Sequence, residues 1–155
     1  MEDFTFHQLN SDSEIPYHLL LLADETKEAI NQYIFNSDIY LLHSGTENIA
    51  VMALYRKSDT ELEIKNVAVI ESYRSKGIGS ILMNKAKEIA KENHYKILTV
   101  GTSDTGFQQI RFYEKNGFIR SGMLKDFFIK NYPDPIYENG LQMRDMVVLS
   151  HHLAE

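Results

Sequence analysis

Between a strand-like run, Glu61 to Val69, and a helix-like run, Gly77 to Asn93, lies the turn Arg74-Ser75-Lys76-Gly77-Ile78-Gly79. A glycine-rich turn entering a helix presents backbone N–H groups at the positive end of the helix dipole, which suits a phosphate or pyrophosphate. Glycine serves wherever the backbone approaches a ligand too closely for a Cβ. Two familiar phosphate loops do not fit. A Walker loop needs Gly-Lys-Ser/Thr, whereas Lys76 precedes Gly77 and Ile78 follows it. A dinucleotide fingerprint needs a third glycine, and that position holds Leu82. What remains is Arg-x-x-Gly-x-Gly, with Arg74 and Lys76 adding positive charge beside the turn. Taken alone, the pattern is equally an ordinary loop with a glycine helix start.

The flanking sequence places this turn in a mixed α/β fold. Phe4 to Leu9, Asp38 to Ser44, Asn48 to Arg56 and Glu61 to Val69 read as strands, the last three as an antiparallel meander. Tyr17 to Ala23 and Thr26 to Phe35 read as one or two short helices. Ile78, Ile81, Leu82, Ala86, Ile89 and Ala90 recur at three- and four-residue spacing, the apolar face of a helix. Lys96 to Thr102 is β-rich, so strand, helix and strand imply a right-handed crossover with parallel pairing. Phe107 to Lys115 reads as a second helix stopped by Asn116-Gly117. Phe118 to Met123 and Asp145 to Ser150 read as strands, Phe127 to Gly140 as a loop, and His151-His152 as a surface tail. The expected sheet is antiparallel at first, with one parallel crossover carrying the phosphate turn. A ligand belongs at the carboxyl ends of the strands beside it.

Composition narrows the function class. A chain of 155 residues suits one domain, 1–155. Net charge of −6 disfavours generic nucleic-acid binding and leaves a local basic patch open. Absence of cysteine excludes disulfides, thiolate nucleophiles and cysteine-ligated metal, and fits a reducing, cytoplasmic setting. The six histidines show no metal-ligand spacing, so no metal is expected. No apolar stretch approaches a membrane span, and the acidic start Met1-Glu2-Asp3-Phe4 is unlike a signal peptide.

Three segments together resemble the GNAT superfamily of acetyl-CoA-dependent N-acetyltransferases. Glu63-Ile64-Lys65-Asn66-Val67-Ala68-Val69 resembles its central strand, and Arg74 to Gly79 its pyrophosphate signature. Phe112-Tyr113-Glu114-Lys115-Asn116-Gly117-Phe118 resembles its later helix-to-strand motif. The resemblance covers roughly residues 61 to 118 and implies a GNAT-like fold. It implies that Val67-Ala68-Val69 holds the pantetheine arm, backbone groups of Val67 and Val69 pairing with it like an added strand. It implies that N–H groups from Ser75 through Lys76, Gly77, Ile78 and Gly79 to Ser80 hold the pyrophosphate. The strands carrying Val69 and Thr102 would splay apart around the thioester, with Thr102 beside the coenzyme.

Acyl transfer to an amine sets chemical demands. The amine must be neutral, the oxyanion stabilised and the thiolate supplied with a proton. Alkyl amines hold their proton up to about pH 10, so a base or a desolvating pocket is needed. Glu63 occupies the strand position of the general base in several family members, acting directly or through water. Its other reading is a solvent-facing charge alongside Glu61. Val69 N–H is the implied oxyanion donor. Tyr113 matches the tyrosine facing the coenzyme sulfur, and its other reading is an aromatic packed beside Phe112 and Phe118. One departure is visible: Gly106 and Gln109 stand where many relatives carry asparagine and alanine. Thr102, Ser103 and Asp104 are the neighbouring groups able to replace that asparagine.

The expected partners are acetyl-CoA and a primary amine of a small molecule or peptide. Asp126, Asp134, Glu138 and Asp145 would suit a cationic acceptor, or are simply solvated charges. Tyr132, Tyr137, Phe127 and Phe128 would line its pocket or pack on the sheet. Alternatives are a non-catalytic acyl-CoA sensor and transfer of a longer acyl group. A homodimer, common in that superfamily, leaves no heptad or apolar patch in this sequence.

Overall fold

The computed structural model describes residues 3–153. Met1 and Glu2 of the acidic start, and the last two residues of the expected 1–155 domain, lie outside the described residues. Among the described residues, nine strands and five α-helices follow in the order β1 (Phe4–Gln8), α1 (Tyr17–Leu20), α2 (Lys27–Asn31), β2 (Ser37–Ser44), β3 (Glu47–Arg56), β4 (Glu61–Val69), α3 (Ile78–Glu92), β5 (Ile97–Ser103), α4 (Phe107–Lys115), β6 (Ile119–Leu124), α5 (Phe127–Asn131), β7 (Tyr137–Glu138), β8 (Leu141–Gln142) and β9 (Met146–His152). Seven strands form one sheet in the order β1-β2-β3-β4-β5-β9-β6. Its one parallel pair is β4 with β5, as the strand–helix–strand reading expects.

Two apolar clusters sandwich the sheet. One face carries α3 and α4, with Ile78, Leu82, Met83, Ala86, Ala90, Ile110 and Tyr113 packed on Leu62, Ile64, Leu98 and Val100. The other carries α1 and α2, with Leu19, Leu20 and Ile30 against Leu41, Val51, Ala53 and Ala68. Each fully buried leucine or isoleucine contributes about 1.5–3 kcal/mol relative to exposure. Thr26 caps α2 by accepting a 3.0 Å bond from Ala29 N–H at its Oγ1.

β4 switches faces in mid-strand, and this shapes the site. Ala53 pairs with Asn66 and Leu54 with Ile64, so Lys65 is an extra residue, a β-bulge. Before it, Leu62 and Ile64 face α3; after it, Ala68 faces α1. Pairing of β4 with β5 runs only from Glu61↔Ile97 to Ile64↔Val100 and stops at the bulge. Beyond that point β4 stays on β3 and β5 stays on β9. The two strands part, and a gap opens between them.

Three parts of the C-terminal third depart from expectation. The segment read as a loop contains α5 and the β7–β8 hairpin. That hairpin turns at Asn139-Gly140, both with positive φ (54° and 77°), the residue pair a tight turn of this hand favours. His151-His152 is no tail: both residues belong to β9, and His151 Nδ1 lies 2.9 Å from Gly117 O. The edge strand β6 exposes Ile119, Met123 and Leu124, an apolar surface that the sequence pattern does not announce. Among the described residues no helix is long and apolar enough to cross a membrane.

Candidate active site

The gap between β4 and β5 is the mouth of a cleft of about 740 Å³. One part of its wall is Val67, Ala68, Val69, Arg74, Gly79, Gly101, Thr102, Gln109, Phe112 and Tyr113. Another part is supplied by Leu21 to Glu25 after α1, by Lys65 and Asn66, and by Phe128, Tyr132, Tyr137 and Glu138. The first group comes from the segments that carry the motifs. The second, apart from the β4 residues, comes from the segments before β2 and after β6.

The open edge of β4 is the structural core of the site. Ile70 N–H donates to Ile49 O of β3. In an antiparallel ladder the direction alternates, so Ala68 also turns its N–H and C=O to β3. Val67 and Val69 turn theirs the other way, into the cleft. One of those groups is already engaged: Val69 O accepts a 3.0 Å bond from Arg74 Nε. Val69 N–H and both polar groups of Val67 are left toward the cleft. Of the expected segment Val67-Ala68-Val69, Ala68 therefore lines the cleft without offering backbone groups to a ligand.

The glycine turn has the backbone its sequence requires. Ser75 and Gly77 both have positive φ, 63° and 79°, so two left-handed residues bracket Lys76 and coil the backbone into a concave turn. Gly77 takes this conformation without strain. No side chain caps α3, and the first bond back into the turn runs from Ile81 N–H to Gly77 O. Helix geometry leaves the N–H groups of Ile78, Gly79 and Ser80 pointing out of the helix end. Arg74 and Gly79 line the cleft, whereas Ser75, Lys76, Gly77, Ile78 and Ser80 lie beyond its lining. The Ile78 side chain is in the core, so only its backbone can meet a ligand. Lys76 Nζ stands 4.9 Å above the ring of Tyr73.

Tyr113 is buried on α4, with Phe112 and Phe118 edge-on at 5.3 and 5.8 Å. It packs among these aromatics and also lines the cleft. Burial pushes its phenol up to about 12, so the hydroxyl remains protonated at neutral pH. Its hydroxyl has no hydrogen-bond partner among the described residues, unlike those of Tyr33 and Tyr132.

Glu63 does not line the cleft. It lies in the paired part of β4, opposite Thr99, and its carboxylate sits 3.2 Å from Lys65 Nζ. Of the groups near the missing asparagine, Ser103 is buried against Thr105 Oγ1 at 2.7 Å, and Asp104 Oδ1 accepts from Arg144 N–H at 3.2 Å. Thr102, Ser103 and Gln109 are on the cleft wall, and Asp104 is not.

Among the four C-terminal carboxylates only Glu138 lines the cleft. Asp126 pairs with Arg144 at 3.5 Å, and Asp145 accepts the Asp126 N–H at 2.8 Å. Tyr132, Tyr137 and Phe128 line the cleft, and Phe127 does not. Sequence reasoning missed Asp24, Glu25, Tyr33 and the side chain of Asn66. Asp24 is bonded to Tyr33 and Tyr132, the latter 108 residues away, so nothing local marks it. Among the described residues no cluster of three or more His, Asp or Glu could hold a metal.

Residues 5–118 match the acetyltransferase (GNAT) family. An uncharacterized N-acetyltransferase of Bacillus subtilis, YvbK, is 38% identical over 133 residues, 86% of this chain and 86% of that protein. The solved structure of a GNAT family acetyltransferase from Elizabethkingia anophelis, with acetyl-CoA bound, superposes with a TM-score of 0.94 at 40% identity, covering 97% of this chain and 98% of that one. An IAA acetyltransferase from Bacillus cereus superposes with a TM-score of 0.92 at 34% identity, covering 97% of this chain and all of that one. The split parallel strands, the uncapped glycine turn and these likenesses agree, and the chain belongs to the acetyltransferase (GNAT) family.

Proposed function

We propose that the protein transfers the acetyl group of acetyl-CoA directly to an amine bound in the same cleft. The observation that carries this reading is the split between β4 and β5. It turns the polar groups of Val67 and the N–H of Val69 into a cleft shared with Tyr113. The pantetheine arm would pair with Val67, and the pyrophosphate would take the N–H groups at the start of α3, with Arg74 and Lys76 adding charge.

In the reaction the amine nitrogen attacks the thioester carbonyl carbon. The C–N bond forms while the carbonyl π electrons move to oxygen, where Val69 N–H would stabilise the charge. Collapse breaks the C–S bond and leaves the coenzyme thiolate. Tyr113, with its phenol near 12, is a weaker acid than an ordinary thiol at about 8.5. Its hydroxyl therefore serves as a hydrogen-bond donor to the departing sulfur. The proton that ends on sulfur derives from the nitrogen, which became positively charged on attack. Glu63 lies outside the cleft lining, paired with Lys65, which lines it, so any part Glu63 takes in deprotonating the amine runs through water.

Initial-rate kinetics test direct transfer. Intersecting lines when acetyl-CoA and amine are both varied, with no acetylated protein in the mass spectrum, support it. Parallel lines with a stable acetyl-protein would refute it.

A further inference from the structure

A hydrogen-bond chain with one fixed direction runs into the wall of the cleft remote from the glycine turn. It starts at Asn66, which is 4% exposed and lines the cleft. Asn66 Nδ2 donates to Leu20 O and to Tyr33 Oη, each at 3.0 Å. A carbonyl only accepts, so the Leu20 contact fixes which end of the amide is nitrogen. Tyr33 then donates to Asp24 Oδ2 at 3.1 Å, and Tyr132 donates to Asp24 Oδ1 at 2.7 Å. Both phenols are pushed upward, first by burial and then in part by Asp24 itself, which keeps them as donors. Glu25 N–H also donates to Asp24 Oδ1, at 2.8 Å. Three of the roughly four lone-pair sites of the carboxylate are taken, and the open one lies on Oδ2.

Two acceptors in this arrangement lack a donor. One is that remaining site on Asp24. The other is Asn66 Oδ1, which is buried and has no partner among the described residues. A buried carbonyl left unpaired costs about 1–3 kcal/mol, so it marks a place where a ligand donor belongs. Asp24, Glu25 and Glu138 line the cleft; Lys65 lines it too, 6.0 Å over the Tyr33 ring, and its charge is paired with Glu63 at 3.2 Å.

We propose that Asp24, Asn66, Tyr33 and Tyr132 form an ammonium-binding subsite, and that the preferred acceptor carries a second, protonated amine besides the one acetylated. A carboxylate stabilises the charged form of a bound amine. A nitrogen held at Asp24 keeps its proton and cannot attack, so the nucleophile is another nitrogen of the same molecule. The two tyrosines hold the carboxylate in place, and the Asn66 carbonyl accepts a further N–H. This inference rests on the acetyltransferase reading for the second nitrogen and on the cleft alone for the ammonium subsite.

Calorimetric titration of the CoA-saturated protein with putrescine, spermidine and butylamine separates the two. The diamine or triamine should bind at least about 10-fold tighter than butylamine, the worth of one charged hydrogen bond. Asp24→Asn keeps one acceptor oxygen, enough for Tyr132 and the Glu25 N–H, while removing the charge, and should cancel that preference with CoA affinity intact. Tyr132→Phe should weaken it by about 3- to 10-fold through loss of one anchoring bond. Equal binding of butylamine and the polyamines, or an unchanged preference in Asp24→Asn, would overturn the subsite. Polyamine preference without acetyl transfer to any of the three amines would uphold the subsite and overturn the transferase reading. Transfer to butylamine as efficient as to putrescine would do the reverse.

Discussion

Gly79 faces the ring of Phe112 so closely that a Cβ on Gly79 would lie 2.9 Å from Cζ and 3.0 Å from Cε1. The first turn of α3 and the middle of α4 are thus joined across a missing side chain. Phe112 in turn is edge-on to Tyr113 and lines the cleft. This glycine therefore has a packing role as well as the close approach to a ligand that the motif suggests. Gly79→Ala should displace Phe112, cost about 1–3 kcal/mol of stability and weaken CoA binding. Gly79→Ala with Phe112→Leu should recover part of both, because contacting sites couple. Thermal melts and CoA titrations of the two single variants and the pair check this; strictly additive losses would contradict it.

Arg74 touches the site in two ways: its Nε holds Val69 O, and its charge stands beside the glycine turn. Arg74→Gln should weaken CoA binding by about 10-fold, the worth of a charge-assisted contact. The loss should shrink as salt rises, since screening already removes part of the wild-type attraction. CoA titration at low and high ionic strength reads both effects. A salt-independent loss would assign Arg74 to shaping the turn alone.

Tyr113 gives a prediction with a sign. Its phenol ionises near 12 in the folded chain and near 10 when unfolded. The native state thus holds the proton more firmly. The associated stability is fully present below about pH 10 and is lost as pH rises through about 12, amounting to roughly 2–3 kcal/mol. Tyr113→Phe should flatten the fall of denaturation midpoint between those values. The same variant should lower kcat more than coenzyme affinity. In the wild type, kcat should show no ionisation of this phenol from pH 6 to 10, so any rise there belongs to the amine. Urea titrations across the alkaline range and a pH–rate profile test the two halves separately.

Asn66→Ala removes two buried hydrogen bonds, to Leu20 O and to Tyr33 Oη, while Leu20 O keeps the N–H groups of Ala23 and Asp24. Loss of about 1–3 kcal/mol is expected for the two hydrogen bonds together. Asn66→Asp should be worse, because it aims a carboxylate at that carbonyl. Chemical denaturation of the two variants checks the order.

The parts of this molecule that were readable in the sequence are those whose cause is local. Helix Phe107–Lys115 matches its expected bounds, because a short apolar face is followed by Asn116-Gly117, and Gly117 takes φ 92°. Strand Glu61–Val69 alternates as written, and the turn at Gly77 needs a left-handed residue where glycine stands. The Asn139-Gly140 hairpin was equally local, but Pro133 and Pro135 beside it suggested an unstructured loop. The bulge at Lys65 has no such signature. It arises from pairing with β3, and it alone decides that Asn66 and Glu63 stand where they do. The acceptor end is the extreme case, since Asp24 meets Tyr132 only when both ends of the chain close over the sheet.

The central claim is that acetyl-CoA and an amine react in the cleft between β4 and β5. It is tested most directly by incubating the protein with acetyl-CoA and an amine panel, measuring free thiol together with the N-acetylated product by mass spectrometry. The account predicts thiol release that requires the amine, matches the acetylated product one for one, and falls sharply in Tyr113→Phe. Firm binding of acetyl-CoA with no amine-dependent thiol across polyamines, aminoglycosides, amino acids and peptides would contradict it.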